Sequence, residues 1–311
     1  MPTTFAARVG RAVARFALLL AAASLIIFLL LRAVPGDPAR VALGVSATDA
    51  DVAELAHRLG TDRPLLTQYF SWVTGMLTGD FGISMASGTA LGPQLAERAS
   101  VSLVLTLVAM GVSLCIAIPL GVYLARRRGH ADAALVHGLT QVGIVVPSFL
   151  VGILAVALFS VRLGWLPANG WGTPAHAVLP VVALTLVQAS ILTRYVRAAV
   201  AEELDKDYVR TARASGASIS AALVRHALRN AALPVLTVTG VQLSALVVGA
   251  VVIERVFAIP GLGSLLLDAV ANRDLTQVQA IMMCIVAFTL LVNLAVDVSY
   301  AAIDPRTRRR A

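Results

Sequence analysis

Six strongly apolar stretches of this chain contain no Asp, Glu, Lys or Arg: residues 16–31, 99–125, 133–161, 163–193, 231–253 and 275–296. A helix needs about 20 apolar residues to cross the hydrocarbon layer of a bilayer, which is about 30 Å thick. Every run except the first meets that length, and the first gains a turn from Ala12 to Ala14, with Arg15 extended to the interface. The fourth run carries Gly164, Pro167, Asn169, Gly170, Gly172 and Pro174 in its first half. That predicts a loop there and a helix from about His176. The expected fold class is all-α: a polytopic membrane protein with six transmembrane helices.

Composition agrees by exclusion. The chain is 58% apolar and 14% charged, against about 45–50% and about 25% in soluble domains. A soluble enzyme around one core is excluded, and so is disorder, which needs the opposite composition. The first run follows Arg8, Arg11 and Arg15 and has the outline of a signal peptide. Arg32, Pro35 and Pro38 stand where a small-residue cleavage site belongs, so an uncleaved first span is expected.

Orientation follows from the distribution of Arg and Lys, because positive loops stay in the cytoplasm. With the N-terminus inside, seventeen of the 25 basic residues fall in cytoplasmic segments beside six acids; outside, eight basic residues meet ten acids. Both termini are therefore expected in the cytoplasm. Topology accounts for the net charge of +8 without any nucleic acid partner. Cys115 and Cys284 each lie inside a run and read as small interior residues, with no disulfide framework.

Three stretches outside the lipid are large enough to act. The first, 32–98, lies outside. It opens on a Pro-Gly-Asp-Pro turn at Pro35 to Pro38. Two short amphipathic helices follow, Asp49 to Leu59 and Pro64 to Leu77, the second carrying Tyr69 and Trp72, which suit a headgroup layer. It is either a cap packed on the bundle or a docking surface for an external partner. The second, 194–230, is cytoplasmic and far longer than the 2–8 residues most helix connections take. Gly216 and Ser218 divide it into helices of about 207–215 and 220–230; Tyr208, Thr211, Ala212 and Ser215 share a face of the first. Pro234 then stands at the start of the fifth span, where its missing N–H costs nothing. Such a knuckle is either a filler lying on the membrane or the socket piece for a cytoplasmic partner. The third, 254–276, is external, with Pro260, Gly261 and Gly263 before a short apolar run at 265–267, and reads as a gate or a plain connector.

Site chemistry is missing. No Walker-type glycine loop, no His/Glu metal pair and no Gly-x-Ser-x-Gly elbow occurs, and His57, His130, His137, His176 and His226 are not spaced as ligands. Asp297 is the one carboxylate in a span, near its cytoplasmic end, where an inter-helix or snorkelled contact is favoured over a functional role. A proton-coupled carrier wants ionisable groups near the bilayer middle. Energy must then come from another subunit.

The segment Asp207-Tyr208-Val209-Arg210-Thr211-Ala212-Arg213-Ala214-Ser215-Gly216, with His226 to Asn230 and Leu233-Pro234, resembles the permease signature loop of binding-protein-dependent ABC importers, in its peptide and nickel branch. The general loop reads Glu-Ala-Ala, three residues, Gly, nine residues, Ile-x-Leu-Pro. Arg210 stands in place of its Glu, His226 of its Ile and Arg229 of its Pro, departures this branch shares. Leu30 through Pro38, Asp62 through Gly82, and Ile253 to Phe257 with Pro260 to Gly263 resemble the first of the two permeases in dipeptide and oligopeptide systems.

The resemblance implies a type I permease fold in a bacterial inner membrane, forming half of a pore with a homologous second permease. One or two ABC ATPase subunits would bind ATP and Mg, so this chain would carry no cofactor and no catalytic residue. An external substrate-binding protein would deliver the cargo. The coupling contact would involve Asp207, Tyr208, Thr211, Ala212, Ser215, Gly216, His226, Asn230 and Pro234. External or gate positions would be Glu254, Arg255, Phe257, Pro260 and Gly261. The chain would divide into 1–32, an external cap 33–98, and a five-helix core 99–311 with the coupling loop 194–232. The expected cargo is a di- or oligopeptide, with nickel chelates, glutathione or another small solute as alternatives. A stand-alone secondary carrier is the competing class.

Overall fold

The computed structural model describes residues 5–33, 38–43 and 47–303. The turn residues Pro35, Gly36 and Asp37, the C-terminal tail from Asp304, and the His226 side chain lie outside the described residues. Thirteen α-helices follow in order: α1 Phe5–Arg32, α2 Pro38–Leu43, α3 Asp49–Leu59, α4 Leu65–Thr78, α5 Leu91–Arg126, α6 Ala131–Val145, α7 Ser148–Ala155, α8 Pro174–Leu204, α9 Asp207–Ala214, α10 Ile219–Ala222, α11 Leu228–Val256, α12 Leu262–Ala271 and α13 Leu275–Ile303. π-helical segments extend α7 through Val156–Arg162 and join α10 to α11 through Leu223–Ala227. Apart from one isolated antiparallel bridge between Ile83 and Ala90, the described residues contain no strand.

Five helices, α1, α5, α8, α11 and α13, are long and apolar enough to cross a membrane. The sixth expected span is α6 and α7, bent by 96°. The break falls at Pro147, whose ring disfavours helical backbone at Val146; Val146 is extended, with ψ of 122°. A second departure concerns the fifth span. The chain does not restart there: α10, the π segment and α11 run on continuously, which places Pro234 inside α11 rather than at its first turn. With no N–H on Pro234, the Asn230 carbonyl loses its intrahelical partner. One turn on, the Tyr300 hydroxyl of α13 reaches the Leu233 carbonyl at 2.9 Å.

The chain forms two compact units. One comprises Leu103–Ile259 with the described parts of Met1–Val9 and Val292–Ala311. α8 is its axis, packed by α11, α6 and α7. Glycines also let α5 approach α8, and α13 approach α11, closely. A Cβ on Gly121 would stand 2.7 Å from Val196 and 3.0 Å from the Arg197 nitrogen, and one on Gly240 would stand 2.4 Å from Val296.

The other unit comprises Gly10–Ser102 and Pro260–Leu291. Its core joins Leu91 and Leu95 of α5 to Leu262, Leu265 and Ala269 of α12 and Val278, Ala280 and Ile281 of α13. Asp274, fully buried, caps α13 by accepting the Gln277 N–H at 3.0 Å. Its other oxygen accepts the Ser84 hydroxyl at 2.5 Å, tying the loop before α5 to the start of α13. α3 and α4 stand where the amphipathic pattern of the external stretch predicts them. α3 opens on a Thr48/Asp51 capping box.

Candidate functional site

The knuckle expected from the sequence is built by three consecutive pieces, the end of α8, all of α9, and α10 with the turn into α11. α9 has one large apolar side chain among eight residues, Val209, which is 1% exposed. It inserts among Ala125 of α5, Val196, Val200 and Ala201 of α8, and Ala222, Leu223, Ala227 and Ala231 of the following segment. Ala dominates that seat, so α9 lies close to the helices beneath it. Ala212 packs at the edge of the same cluster. Of the four residues expected on one outward face, Tyr208, Thr211 and Ser215 are exposed and Ala212 is half-buried against the seat.

Polar contacts lock the seat from its sides. The Tyr208 hydroxyl donates to the Glu203 carboxylate at the end of α8 and accepts from the Asn230 amide of α11 at 3.1 Å. Burial, then the bond to Glu203, holds this phenol above its ordinary pKa. Arg126 donates to Ser220 at 3.0 Å, and Arg128 pairs with Asp205 at 3.1 Å. On the exposed side Thr211 donates to the Asp207 carbonyl and Ser215 to the Thr211 carbonyl, both at 3.0 Å. Asp207 projects into solvent, its nearest charged partner Arg210 at 3.5 Å.

α9 ends in a Schellman cap. The Ala217 N–H bonds to the Ala212 carbonyl at 3.1 Å and the Gly216 N–H to the Arg213 carbonyl at 3.0 Å. Gly216 takes φ of +93°, and a Cβ there would meet nothing within 4 Å. Ser218 then caps α10 by accepting from the Ala221 N–H at 3.2 Å. The glycine is thus required by the backbone alone.

Of the coupling residues expected from the sequence, Asp207, Tyr208, Thr211, Ser215 and Gly216 come together on the exposed side of the knuckle. Asn230 joins them through Tyr208. Pro234 stands four residues further along α11, exposed. Val209, Glu203 and the Arg126 to Arg128 run are the residues sequence reasoning did not single out for the site. Val209 carried a signal, being the lone large aliphatic residue in a polar helix.

Of the external positions, Glu254 is 1% exposed near the end of α11, and Arg255 beside it is exposed. Phe257 is buried over Gly152 of α7, and its carbonyl accepts the Gly170 N–H at 2.8 Å. Gly261 is buried and its N–H bonds to Ser264 at 3.1 Å, while Pro260 is half-buried. Among the described residues no three His, Cys, Asp or Glu side chains form a group that could hold a metal ion.

A family model described as the inner membrane component of binding-protein-dependent transport systems matches residues 117–309. The N-terminal model of the same component matches 5–115. Over 298 residues the chain is 37% identical to a probable peptide ABC transporter permease of Sinorhizobium fredii, covering 93% of this chain and 95% of that one. It is 39% identical over 286 residues to the glutathione transport system permease GsiC of Escherichia coli K12, covering 92% and 93%. An inward-facing MetNI methionine ABC transporter structure matches 68% of this chain and 97% of its own at a TM-score of 0.60 and 20% identity. That likeness establishes the fold.

Proposed function

The chain belongs to the inner membrane component family of binding-protein-dependent transport systems, a multi-pass permease of ABC importers, and from that premise we propose that it forms half of a translocation pore for small peptides. A homologous second permease supplies the other half. One or two ATPase subunits bind ATP and Mg and drive alternating access, so this chain does no chemistry of its own. The termini and the knuckle face the cytoplasm. Asp207, Tyr208, Thr211, Ser215 and Gly216 meet the ATPase, while Ala212, Asn230 and Pro234 support that contact from behind. The external cap, 33–98, and the stretch carrying Glu254, Arg255, Phe257, Pro260 and Gly261 lie on the side from which a binding protein delivers substrate.

The observation that carries this reading is the knuckle. An exposed polar helix is seated by one buried valine and capped by a glycine at positive φ, in a chain otherwise given over to lipid-spanning helices. A cytoplasmic partner of defined shape explains that construction; a lipid-surface filler would turn apolar side chains outward. Peptide cargo is supported by the relative from Sinorhizobium fredii, and the glutathione permease at 39% identity points to the same chemical class, a short peptide.

The test is a pull-down of the tagged full chain from gently solubilised native membranes, with partners identified by mass spectrometry. The expected result is a second permease and one or two Walker-motif ATPases. The chain recovered alone, or only with itself, overturns the importer assembly. The external lipoprotein of the same system is then assayed against di- and tripeptides and glutathione; binding of a nickel chelate alone refutes the peptide reading.

A further inference from the structure

α4 carries no charged residue in 14 positions, and its side chains fall into three sectors at helical spacing. The first grips α1. Trp72 stacks on Phe28 with ring centroids 6.1 Å apart, Tyr69 meets the same ring edge-on at 5.4 Å, and the Tyr69 and Ser24 hydroxyls are 2.9 Å apart. Ser24 gives its own hydrogen to the Ala21 carbonyl at 2.8 Å, so Tyr69 is the donor. The second sector is apolar and bare: Leu66, Phe70 and Leu77 are 73%, 63% and 81% exposed. The third is polar, with Thr67, Ser71, Thr74 and Thr78 all exposed.

The positions gripped on α1 set the depth of α4. The charge-free run of α1 ends at Arg32, whose guanidinium lies over the Phe28 ring at 5.3 Å. Phe28 and Ser24 precede Arg32 by four and eight residues, about 6 and 12 Å down the axis at about 1.5 Å per residue. At those depths α1 itself shows bare Leu25, Ile26, Leu29 and Leu30, the lipid face of a membrane span. The apolar sector of α4 continues that face. A helix standing clear in water would leave three large aliphatic and aromatic side chains hydrated, at about 25 cal/mol for each Å² of apolar surface. The Tyr69 hydroxyl donates to Ser24 and Ser24 to the Ala21 carbonyl, so neither hydroxyl hydrogen is left unpaired, as hydrocarbon demands.

We propose that α4 is an interfacial lipid anchor, lying in the leaflet at the C-terminal end of α1. Its ligand is acyl chain, taken up by Leu66, Phe70 and Leu77, while Thr67, Ser71 and Thr74 face the headgroups. Amphipathic helices of this kind settle about 5–10 Å into the acyl boundary, a depth between those of the Phe28 and Ser24 contacts. The external stretch is then tied to the membrane at its middle, and α3 and the loop before α5 flank a fixed point.

The experiment uses the full chain, assembled with its partners in liposomes, with Cys115→Ser and Cys284→Ser as background. Nitroxide labels are placed by Leu66→Cys, Phe70→Cys and Leu77→Cys on one sector and by Ser71→Cys and Thr67→Cys on the other. Power saturation then compares collision with oxygen, which concentrates in lipid, and with a water-soluble nickel chelate. The oxygen-to-nickel ratio is expected to be several-fold higher at 66, 70 and 77 than at 67 and 71. Equal ratios on both sectors overturn the proposal. So does nickel access at 70 that disappears only when the external binding protein is added, which assigns the face to that protein. Trp72, observed without a label in a Trp165→Phe, Trp171→Phe background, is expected to be quenched by lipids brominated on their acyl chains; quenching only by aqueous iodide overturns the anchor.

Discussion

Gly216 sits at φ of +93° with open space around it. Its substitution therefore strains the backbone without pushing on any neighbour. Left-handed backbone costs an L-residue about 1–2 kcal/mol, and Asn bears it better than a β-branched residue. Gly216→Val is expected to open the cap of α9 and abolish most ATP-driven uptake while the protein remains in the membrane at normal yield; Gly216→Asn keeps a substantial part. Full uptake by Gly216→Val in proteoliposomes would remove the cap from the coupling path. At the end of α3, a hydrogen bond from His57 at 2.8 Å, and then its charge, hold the Asp62 carboxyl below the usual range. A depressed carboxyl pKa contributes stability above its unfolded value, about 4, which is lost as pH falls through the folded value. A label placed by Glu54→Cys on α3 should keep constant mobility from pH 7 down to about 4 and loosen below it. Loosening already complete above pH 5 contradicts this assignment.

At the scale of elements, the long charge-free runs were legible because burial in lipid imposes one composition over a whole span. The bend at Pro147 was not. A proline inside an apolar run is compatible with a kinked span as well as a broken one, because neighbouring helices can satisfy the freed carbonyls. Likewise Pro234 reads as a helix start from sequence, and only the π segment before it shows that the helix is already under way. The exposed half of the knuckle was legible from spacing. Its seat was not, because Arg128 and Asp205 are 77 residues apart, and Val209 finds its partners on α5, α8, α10, the π segment and α11. Interhelical packing gives a sharper expectation. A Cβ on Gly240 would meet Val296 of α13 at 2.4 Å, whereas Gly249, in the same helix, has nothing within 4 Å. Gly240→Leu is expected to destabilise by about 1–3 kcal/mol or more, lowering the apparent Tm and the yield of monodisperse complex, and Gly249→Leu to leave both near wild type. Equal losses at the two sites would mean α11 and α13 do not pack as described.

For the whole molecule, seventeen of the 25 basic residues fall on one side of the predicted spans. Ser218, beside the knuckle, and Ser87, in the loop before α5, are both exposed and fall on opposite sides of that topology. In the cysteine-substituted background, Ser218→Cys should react with a membrane-impermeant maleimide only after the cells are opened, and Ser87→Cys in intact spheroplasts. The reverse pattern inverts the orientation and with it the proposed placing of every partner.

The seat beneath α9 has a mechanical meaning under the proposed coupling. Val209 is held by α5, α8 and the run into α11, and the Tyr208 hydroxyl bolts the neck of α8 to that of α11. A push on the knuckle would pass into α8, whose first interruption is Pro180, 24 residues before Leu204 and about 36 Å along the helix. On the other arm the interruptions lie next to the knuckle, the π segment at Leu223–Ala227 and the proline at 234. One arm would then act as a rod as far as Pro180, and the other as a spring at its root. The same small stroke would then tilt α8 as a body while winding α11 locally, so the two ends of the pore need not move by the same amount or at the same moment.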